Sequence, residues 1–448
     1  MPLLTREEAK AVADRALKAS KADSARIIIG SSWSGNTRFS GNEITTSGGV
    51  TDTAVNITST IGKRQASATT NLLDEAGLAR AVEQSERLAR LSPEDPELMP
   101  ELGPQTYAQV QGFSTATAEL DAEKRAAAVK AAFDAVRGVP AADGVRPDDL
   151  LVAGFLEATA TAQAIANSNG LFAYHRASDA SLSTTVRTPD GTGSGYFTRG
   201  ARDWSQLDPR DIASRAARKA IASRNPQAIE PGMYTVVLEP QAVSDLIPIL
   251  RGSFNARTAD EGRSPFSKEG GATKVGEKIA DERVTIFSDP TDAELLSQPF
   301  DGEGLPVKRT VWIENGVLKN LAYSRFWAAQ KGAEAAGFGG GLKMMGGTKS
   351  TDELIAETQR GVLVTRFWYI RFLDQRTVML TGLTRDGTFL IENGRVTRPL
   401  KNFRFNDSPL LMLSRIDEIG RAERVASGMV MPSLRVRDFN FSSLSDAV

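Results

Sequence analysis

Chemistry at neutral pH commonly rests on imidazole or thiolate, and this chain of 448 residues carries one histidine, His175, and no cysteine. Those two groups bind zinc or move protons near pH 7. One imidazole cannot make a two-histidine zinc site, and without a thiolate it cannot complete a mixed one. A Ser-His-Asp or Cys-His arrangement would have to run through His175, in the context Ala173-Tyr174-His175-Arg176. That stretch reads as an extended strand, and a partly buried structural imidazole is expected. Taken alone, the chain is not expected to be a zinc enzyme.

Other patterns invite chemistry and are weighed against simpler roles. Gly337-Phe338-Gly339-Gly340-Gly341 and Gly346-Gly347-Thr348 approach a phosphate loop, G-x-x-x-x-G-K-[ST], but Gly347 stands where the lysine is needed. A flexible loop is expected. Gly339, Gly340 and Gly341 let a backbone come close, which makes them candidates to lie against a bound peptide. Gly191-Thr192-Gly193-Ser194-Gly195 fits G-x-S-x-G only when shifted, so Ser194 is expected in a turn between strands. Gly30-Ser31-Ser32-Trp33-Ser34-Gly35 is expected to be a loop after a strand. Acidic pairs at Asp260-Glu261, Asp281-Glu282, Asp301-Glu303 and Asp352-Glu353 lack calcium-loop spacing and read as solvated loop charges. Arg366-Phe367-Trp368-Tyr369-Ile370-Arg371-Phe372 interleaves arginine with aromatics, as a platform for single strands would. Strict alternation would put Phe367 and Tyr369 on one face. With a formal net charge of −1, an aromatic strand in a sheet or a subunit interface is expected instead.

Hydrophobic residues at 41% and charged residues at 24% suit a globular protein with real cores. Near-neutral charge gives no global attraction to nucleic acid or anionic lipid. No run approaches about 18 apolar residues, so no membrane contact is expected. The start of the chain reads as a helix, not a signal peptide, and a cytoplasmic location is the expectation.

The elements that must position these groups follow from spacing. Thr5 and Glu8 form a capping box ahead of Ala9, Val12, Ala13, Ala16 and Leu17. Arg26 to Gly30 reads as a short strand, residues 50–61 as a half-buried strand, and Asp74 opens a helix to about Leu91. Prolines at 93, 96, 100 and 104 then break the pattern. A helix over 119–136 stops at Gly138, strands run from Leu150 to Val186 around Asn169-Gly170, and a helix covers 209–223. Beyond Pro231-Gly232 the chain is strand-rich, with tight hairpins at Asn315-Gly316 and Asn393-Gly394. The expected fold is α+β, with N-terminal helix-and-strand units followed by a large β-rich C-terminal domain of antiparallel strands. The units are 1–104, 105–230 and 231–448.

A resemblance then becomes specific. Met233-Tyr234-Thr235-Val236-Val237-Leu238-Glu239-Pro240-Gln241-Ala242-Val243, Val284 to Pro290, and Asp301-Gly302-Glu303-Gly304 before Arg309-Thr310 stand in order. Phe389-Leu390-Ile391-Glu392-Asn393-Gly394 and Pro432-Ser433-Leu434-Arg435-Val436 follow, and Asn71 to Pro96 fits the N-terminal part. Together they resemble the TldD/PmbA (TldD/TldE) family over nearly the full length. That resemblance implies a heterodimeric zinc peptidase acting on small or unfolded peptides. Its catalytic subunit carries HExxxH and a late cysteine as zinc ligands, with the glutamate as general base. Here the corresponding stretch runs from Glu239 to Ser244, so Glu239, Pro240 and Ser244 occupy degenerate metal-motif positions. No cysteine stands near Ile419-Gly420-Arg421.

The resemblance is therefore to the zinc-less TldE/PmbA type, with no catalytic or metal residue in this chain and zinc expected in a catalytic partner. The implied role is a non-catalytic subunit, partnered by an HExxxH-bearing TldD-like chain or by a second copy of itself, and holding peptide. The alternatives are a stand-alone homodimer that binds peptides or another ligand without hydrolysis, and a metal-independent hydrolase.

Overall fold

The computed structural model describes residues 3–142, 144–337 and 339–445. Helix α1 (Arg6–Ala19) starts at the capping box: Thr5 Oγ1 accepts from the Glu8 amide and the Glu8 carboxylate accepts from the Thr5 amide at 2.8 Å. Helix α2 (Glu75–Leu91) is capped by Asp74, which accepts from the Gly77 amide. Next come α3 (Thr115–Ala118), α4 (Ala122–Arg137), ending at Gly138, and α5 (Pro209–Ala222) with proline in its first turn, where no amide partner is lost.

These helices pack on one antiparallel sheet of six strands: β1 (Ser24–Ser40), β2 (Glu43–Ile61), β3 (Arg64–Thr70), β4 (Leu151–Asn167), β5 (Phe172–Arg187) and β6 (Ser194–Ala201). Their order is β3-β2-β1-β4-β5-β6. Strand β1 is much longer than the strand expected over Arg26 to Gly30, and the expected loop from Gly30 to Gly35 is its middle. Glycine and serine are poor strand formers, but this run pairs on both sides, Gly30 with Ala54 and with Gln163. Two flanking strands override local preference. The units expected on either side of residue 104 also share this sheet, since β1 pairs with β4 from Arg26↔Asn167 to Phe39↔Gly154.

One face of the sheet is apolar. Val12, Ala13 and Ala16 of α1 and Leu78 and Val82 of α2 cover Ile27, Ile29, Val55 and Ile57. Val129, Ala132 and Val136 of α4, with Ile212, Ala216 and Ala220 of α5, cover Leu156, Leu182 and Val186. Alternate residues point to the opposite face, because strand side chains have a period of two. There the sheet presents Ser32, Ser34 and Asn36 on β1, Thr159, Thr161 and Gln163 on β4, and Asp179, Ser181 and Ser183 on β5.

The C-terminal part builds a second sheet from β7 (Gly232–Leu238), β8 (Ile286–Ser288), β9 (Thr310–Glu314), β10 (Val317–Leu318), β11 (Lys343–Met344), β12 (Arg360–Val364) and β13 (Phe367–Asp374). It continues with β14 (Met379–Thr384), β15 (Thr388–Glu392), β16 (Arg395–Pro399), β17 (Phe403–Asp407), β18 (Ile416–Arg424) and β19 (Val430–Leu444). Its pairings are antiparallel except β7 with β12 and β11 with β19. Both Asn-Gly turns form as expected, with Asn315 and Asn393 at φ near +50°, the left-handed conformation that two-residue hairpins require. Aromatic rings fill the core: Trp312 is fully buried, and Phe403 lies 4.6 Å from Phe441.

The aromatic run departs from strict alternation. Phe367 is buried while Trp368 and Tyr369 are both exposed, because β13 shifts register between Trp368 and Arg371 and Tyr369 adopts φ +53°. Among the described residues, no helix is long and apolar enough to cross a membrane.

Candidate functional site

Between the two sheets lies a cavity of about 480 Å³. Helix α6 (Pro240–Leu246) reaches it directly after β7, with Glu239 as its N-cap residue and Pro240 in its first turn. The Glu239 side chain does not cap the helix. It crosses to α5, where Lys219 Nζ lies 2.5 Å away. Pro240 is buried and Ser244 is half-buried one turn on. The three degenerate positions thus bring one carboxylate, already paired, and no imidazole or thiolate. Among the described residues no group of three or more His, Cys, Asp or Glu side chains could hold a metal ion. The described residues at these positions do not fit the zinc site that the resemblance gives to the catalytic type.

Charged and apolar side chains both line the cavity: Arg199, Arg215, Arg218 and Lys219 with Glu239, Asp352 and Glu423, and Ile355, Leu363 and Val396. Arg199, Arg215 and Lys219 fan over the Phe197 ring at 4.3, 5.0 and 5.2 Å, which holds three cations near one another by attraction to the ring face. Arg199 also pairs with Glu423. Beside this pair, Arg424 Nη2 meets Asp179 Oδ1 at 2.5 Å, so β18 of the second sheet is fastened to β5 and β6 of the first. Burial pushes the Asp179 carboxyl up, and Arg424 opposes that by favouring the anion.

The sequence reading missed Asp245, one turn beyond Gln241 on α6. Its carboxylate accepts from the Phe367 amide and from Gln241 Nε2, each at 2.8 Å. Enclosure raises its pKa to about 6; the two hydrogen bonds and Arg366 act the other way. Gln241 and Asp245 stand four residues apart, a helical pairing visible in sequence, but the amide 122 residues away was not. Through it, α6 holds the first residue of β13.

The glycine candidates lie elsewhere, and their close contacts are with their own chain. A Cβ on Gly339 would sit 1.8 Å from Val307 Cγ1, and one on Gly341 would sit 2.3 Å from the Gly428 carbonyl oxygen. Gly340 bridges to Ser297. Phe338 falls outside the described residues. Gly340, Gln163, Arg251 and His175 line a second cavity of about 290 Å³. His175 is 8% exposed, and burial followed by the charge of Arg202 lowers its pKa to about 4. Among the described residues its Nε2 has no hydrogen-bond partner. His175 is thus a buried, neutral strand residue.

Ser194 opens β6 and donates to Asp386 Oδ1 at 2.6 Å, and Arg366 donates to the other oxygen at 3.2 Å. Serine and aspartate meet without an imidazole between them, and the pair fastens β6 of the first sheet to the turn between β14 and β15 of the second. The acidic pairs close turns and ion pairs: Asp301 accepts from the Glu303 and Leu305 amides, Glu303 pairs with Arg325, Asp281 with Arg283, and Glu353 caps the helix Thr351–Ala356. Ile419-Gly420-Arg421 lies within β18 against β19.

Comparison with known proteins matches the chain to three domains in order. Residues 25–89 match PmbA/TldA metallopeptidase domain 1, residues 117–224 the central domain, and residues 231–443 the C-terminal domain. A metalloprotease of Methanothermobacter thermautotrophicus is 30% identical over 241 residues, covering 49% of this chain and 50% of that protein. The chain thus spans about half the length of that relative. A PmbA homologue of Haemophilus influenzae is 23% identical over 398 residues, 85% of this chain and 84% of that one. In fold, the chain is similar to TldE from Thermococcus kodakarensis, with a TM-score of 0.85 at 20% identity over 97% of this chain and 99% of that one. With all three domains matched in family order on a shared fold, the chain belongs to the PmbA/TldD metallopeptidase family.

Proposed function

We propose that this chain is a non-catalytic subunit of a TldD/TldE-type peptidase complex of the cytoplasm, acting on small or unfolded peptides. One observation carries the reading: the helix at the motif position offers Glu239, Pro240 and Ser244, with Glu239 tied to Lys219, and the chain has one histidine and no cysteine. Zinc and its activated water belong to an HExxxH-bearing partner. This chain contributes surface. The hydroxyl- and amide-bearing face of the first sheet and the charged cavity beside α6 suit an extended, polar backbone, and the outer edge of β16 adjoins that cavity through Val396. Pairing to a strand edge holds a peptide without reading much of its sequence.

The test is hydrolysis of an unfolded peptide by this chain alone and mixed with its HExxxH-bearing relative, with and without a chelator. Cleavage only in the mixture, abolished by chelation, is expected. Cleavage by this chain alone, with stoichiometric zinc, would overturn the proposal. A second reading, a homodimer that binds peptides or another ligand without cleaving them, draws on the charged cavity, which needs no metal to bind a polar chain. Peptide binding by this chain with no cleavage in either sample would favour it.

A further inference from the structure

The cavity that His175 lines is built differently from the one beside α6. Beside α6, cations and carboxylates stand together; here, among the described residues, Arg251 is the charged side chain of the wall and no carboxylate lines it. The rest of the polar wall is neutral: the carboxamides of Gln163 and Gln298, the hydroxyls of Thr161 and Ser297, and the His175 imidazole. Gln163 and His175 are directly opposed on β4 and β5, so their side chains share a face. Arg251 stands on the tight helical segment Ile247–Phe254 that continues α6, and Ser297 and Gln298 come from the loop between β8 and β9. Much of this wall is short of partners within the chain. His175 Nε2 and Ser297 Oγ are buried and make no hydrogen bond among the described residues. The Gln163 and Gln298 carboxamides make none there either. Polar atoms withdrawn from bulk water cost free energy until something meets them.

The chemistry of the wall indicates which ligand fits. Guanidinium, carboxamides and hydroxyls together are rich in N–H and O–H donors. Burial lowers the Arg251 pKa but leaves the guanidinium a cation. The charge that acts on His175 is also positive, that of Arg202, whose terminal nitrogens are taken up by the carbonyls of Gln111, Asp292 and Leu295. A donor-rich, positive wall without a carboxylate of its own suits a carboxylate ligand, which a guanidinium meets with two parallel hydrogen bonds. One guanidinium matches one negative charge, whereas a dianionic phosphate brings a second that this wall does not meet. At about 30 Å³ for each water-sized group, the cavity of about 290 Å³ holds roughly ten non-hydrogen atoms, the size of one or two small residues. Thr161 is exposed and Gln163 and Gln298 are half-buried, so a solute reaches the wall from solvent.

We propose that this cavity binds a terminal carboxylate, that of a small free acid or of the end of a short peptide, with Arg251, Gln163 and Gln298 as its donors. The site needs no zinc and no catalytic partner, so it is tested apart from peptide cleavage. Calorimetry on the full chain uses N-acetylglycine and tetra-alanine, each as the free acid and as the C-terminal amide, while proton NMR follows the ring of His175, the chain's one histidine. An acid is expected to bind roughly tenfold more tightly than its amide and to move the His175 resonances. Binding of N-acetylglycine alone supports the site with a small acid as its source, and binding of tetra-alanine as well supports it with a chain end. Arg251→Gln is expected to weaken the acid roughly tenfold and leave the amide unchanged, so that the preference between them disappears. Should circular dichroism show that Arg251→Gln fails to fold, Gln298→Leu decides, with an expected loss of several-fold in acid affinity. No binding of either acid, equal binding of acid and amide, or His175 resonances that stay in place would overturn the proposal. So would a preference that survives Arg251→Gln, an acid affinity untouched by Gln298→Leu, or inorganic phosphate bound as tightly as the acid.

Discussion

Replacing Asp245 with asparagine tests the enclosure of a carboxylate between α6 and β13. The aspartate pKa rises from the usual value near 4 to about 6 on folding, with burial as the leading cause. A carboxyl with a higher pKa folded than unfolded binds more protons in the folded state. Its stabilising effect is therefore full below pH 4 and is lost as pH climbs through 6. Carried to pH 8, that change corresponds to about 3 kcal/mol, and residual exposure of the side chain trims it to about 2 kcal/mol. Asparagine keeps an oxygen for the Phe367 amide and carries no charge. The measurement is urea unfolding of wild type and Asp245→Asn at pH 4 and pH 8. Taking the difference between the two proteins removes every other titrating group. The variant is expected to gain about 2 kcal/mol on wild type between the two pH values. A difference that stays constant with pH, or moves the other way, would refute the reasoning that Asp245 is held as a costly anion at neutral pH.

Two further predictions use single groups. His175 is the chain's one histidine, so its ring protons report in a one-dimensional proton spectrum without assignment, and they should titrate near pH 4. A base with a lowered folded pKa leaves stability whole above about 6.5 and removes it toward pH 4, so wild type should lose about 3 kcal/mol relative to His175→Gln over that range; a midpoint near 6.5 would contradict the burial. Gly339→Ala forces a methyl into Val307 and should destabilise by roughly 1–3 kcal/mol in thermal unfolding, with Val307→Ala in the same chain recovering part of the loss. Full stability of Gly339→Ala would mean that the loop is free to lie against something other than its own chain.

Local signals carried the helices. The capping residues Thr5, Asp74 and Asp121, the first-turn Pro209 and the stop at Gly138 are written in a few neighbouring residues, and so are both Asn-Gly hairpins. What stayed hidden depends on partners far along the chain. The middle of β1 is a strand because residues 43–61 and 154–167 flank it, and no propensity over Gly30 to Gly35 could supply that. Ser194 meets Asp386 across 192 positions, and Asp245 meets the Phe367 amide across 122. The glycines at 339–341 show a different limit. Small residues announce that something comes close, and only the fold shows Val307 beside Gly339 and Gly428 beside Gly341.

The glycine- and serine-rich centre of β1 has a consequence during synthesis. β1 must wait for β4, which is translated roughly 110 residues later. At about 5–20 residues per second that leaves the hydrogen-bonding edge of β1 bare for on the order of 10 s. A bare edge rich in valine, isoleucine and aromatics would recruit neighbouring nascent chains. From Gly30 to Asn36 this edge offers glycine, serine and asparagine around one tryptophan, a composition that templates cross-β stacking poorly. Beyond Ile27-Ile28-Ile29, the composition that disguises β1 as a loop is therefore expected to make its waiting edge a weak template for other nascent chains.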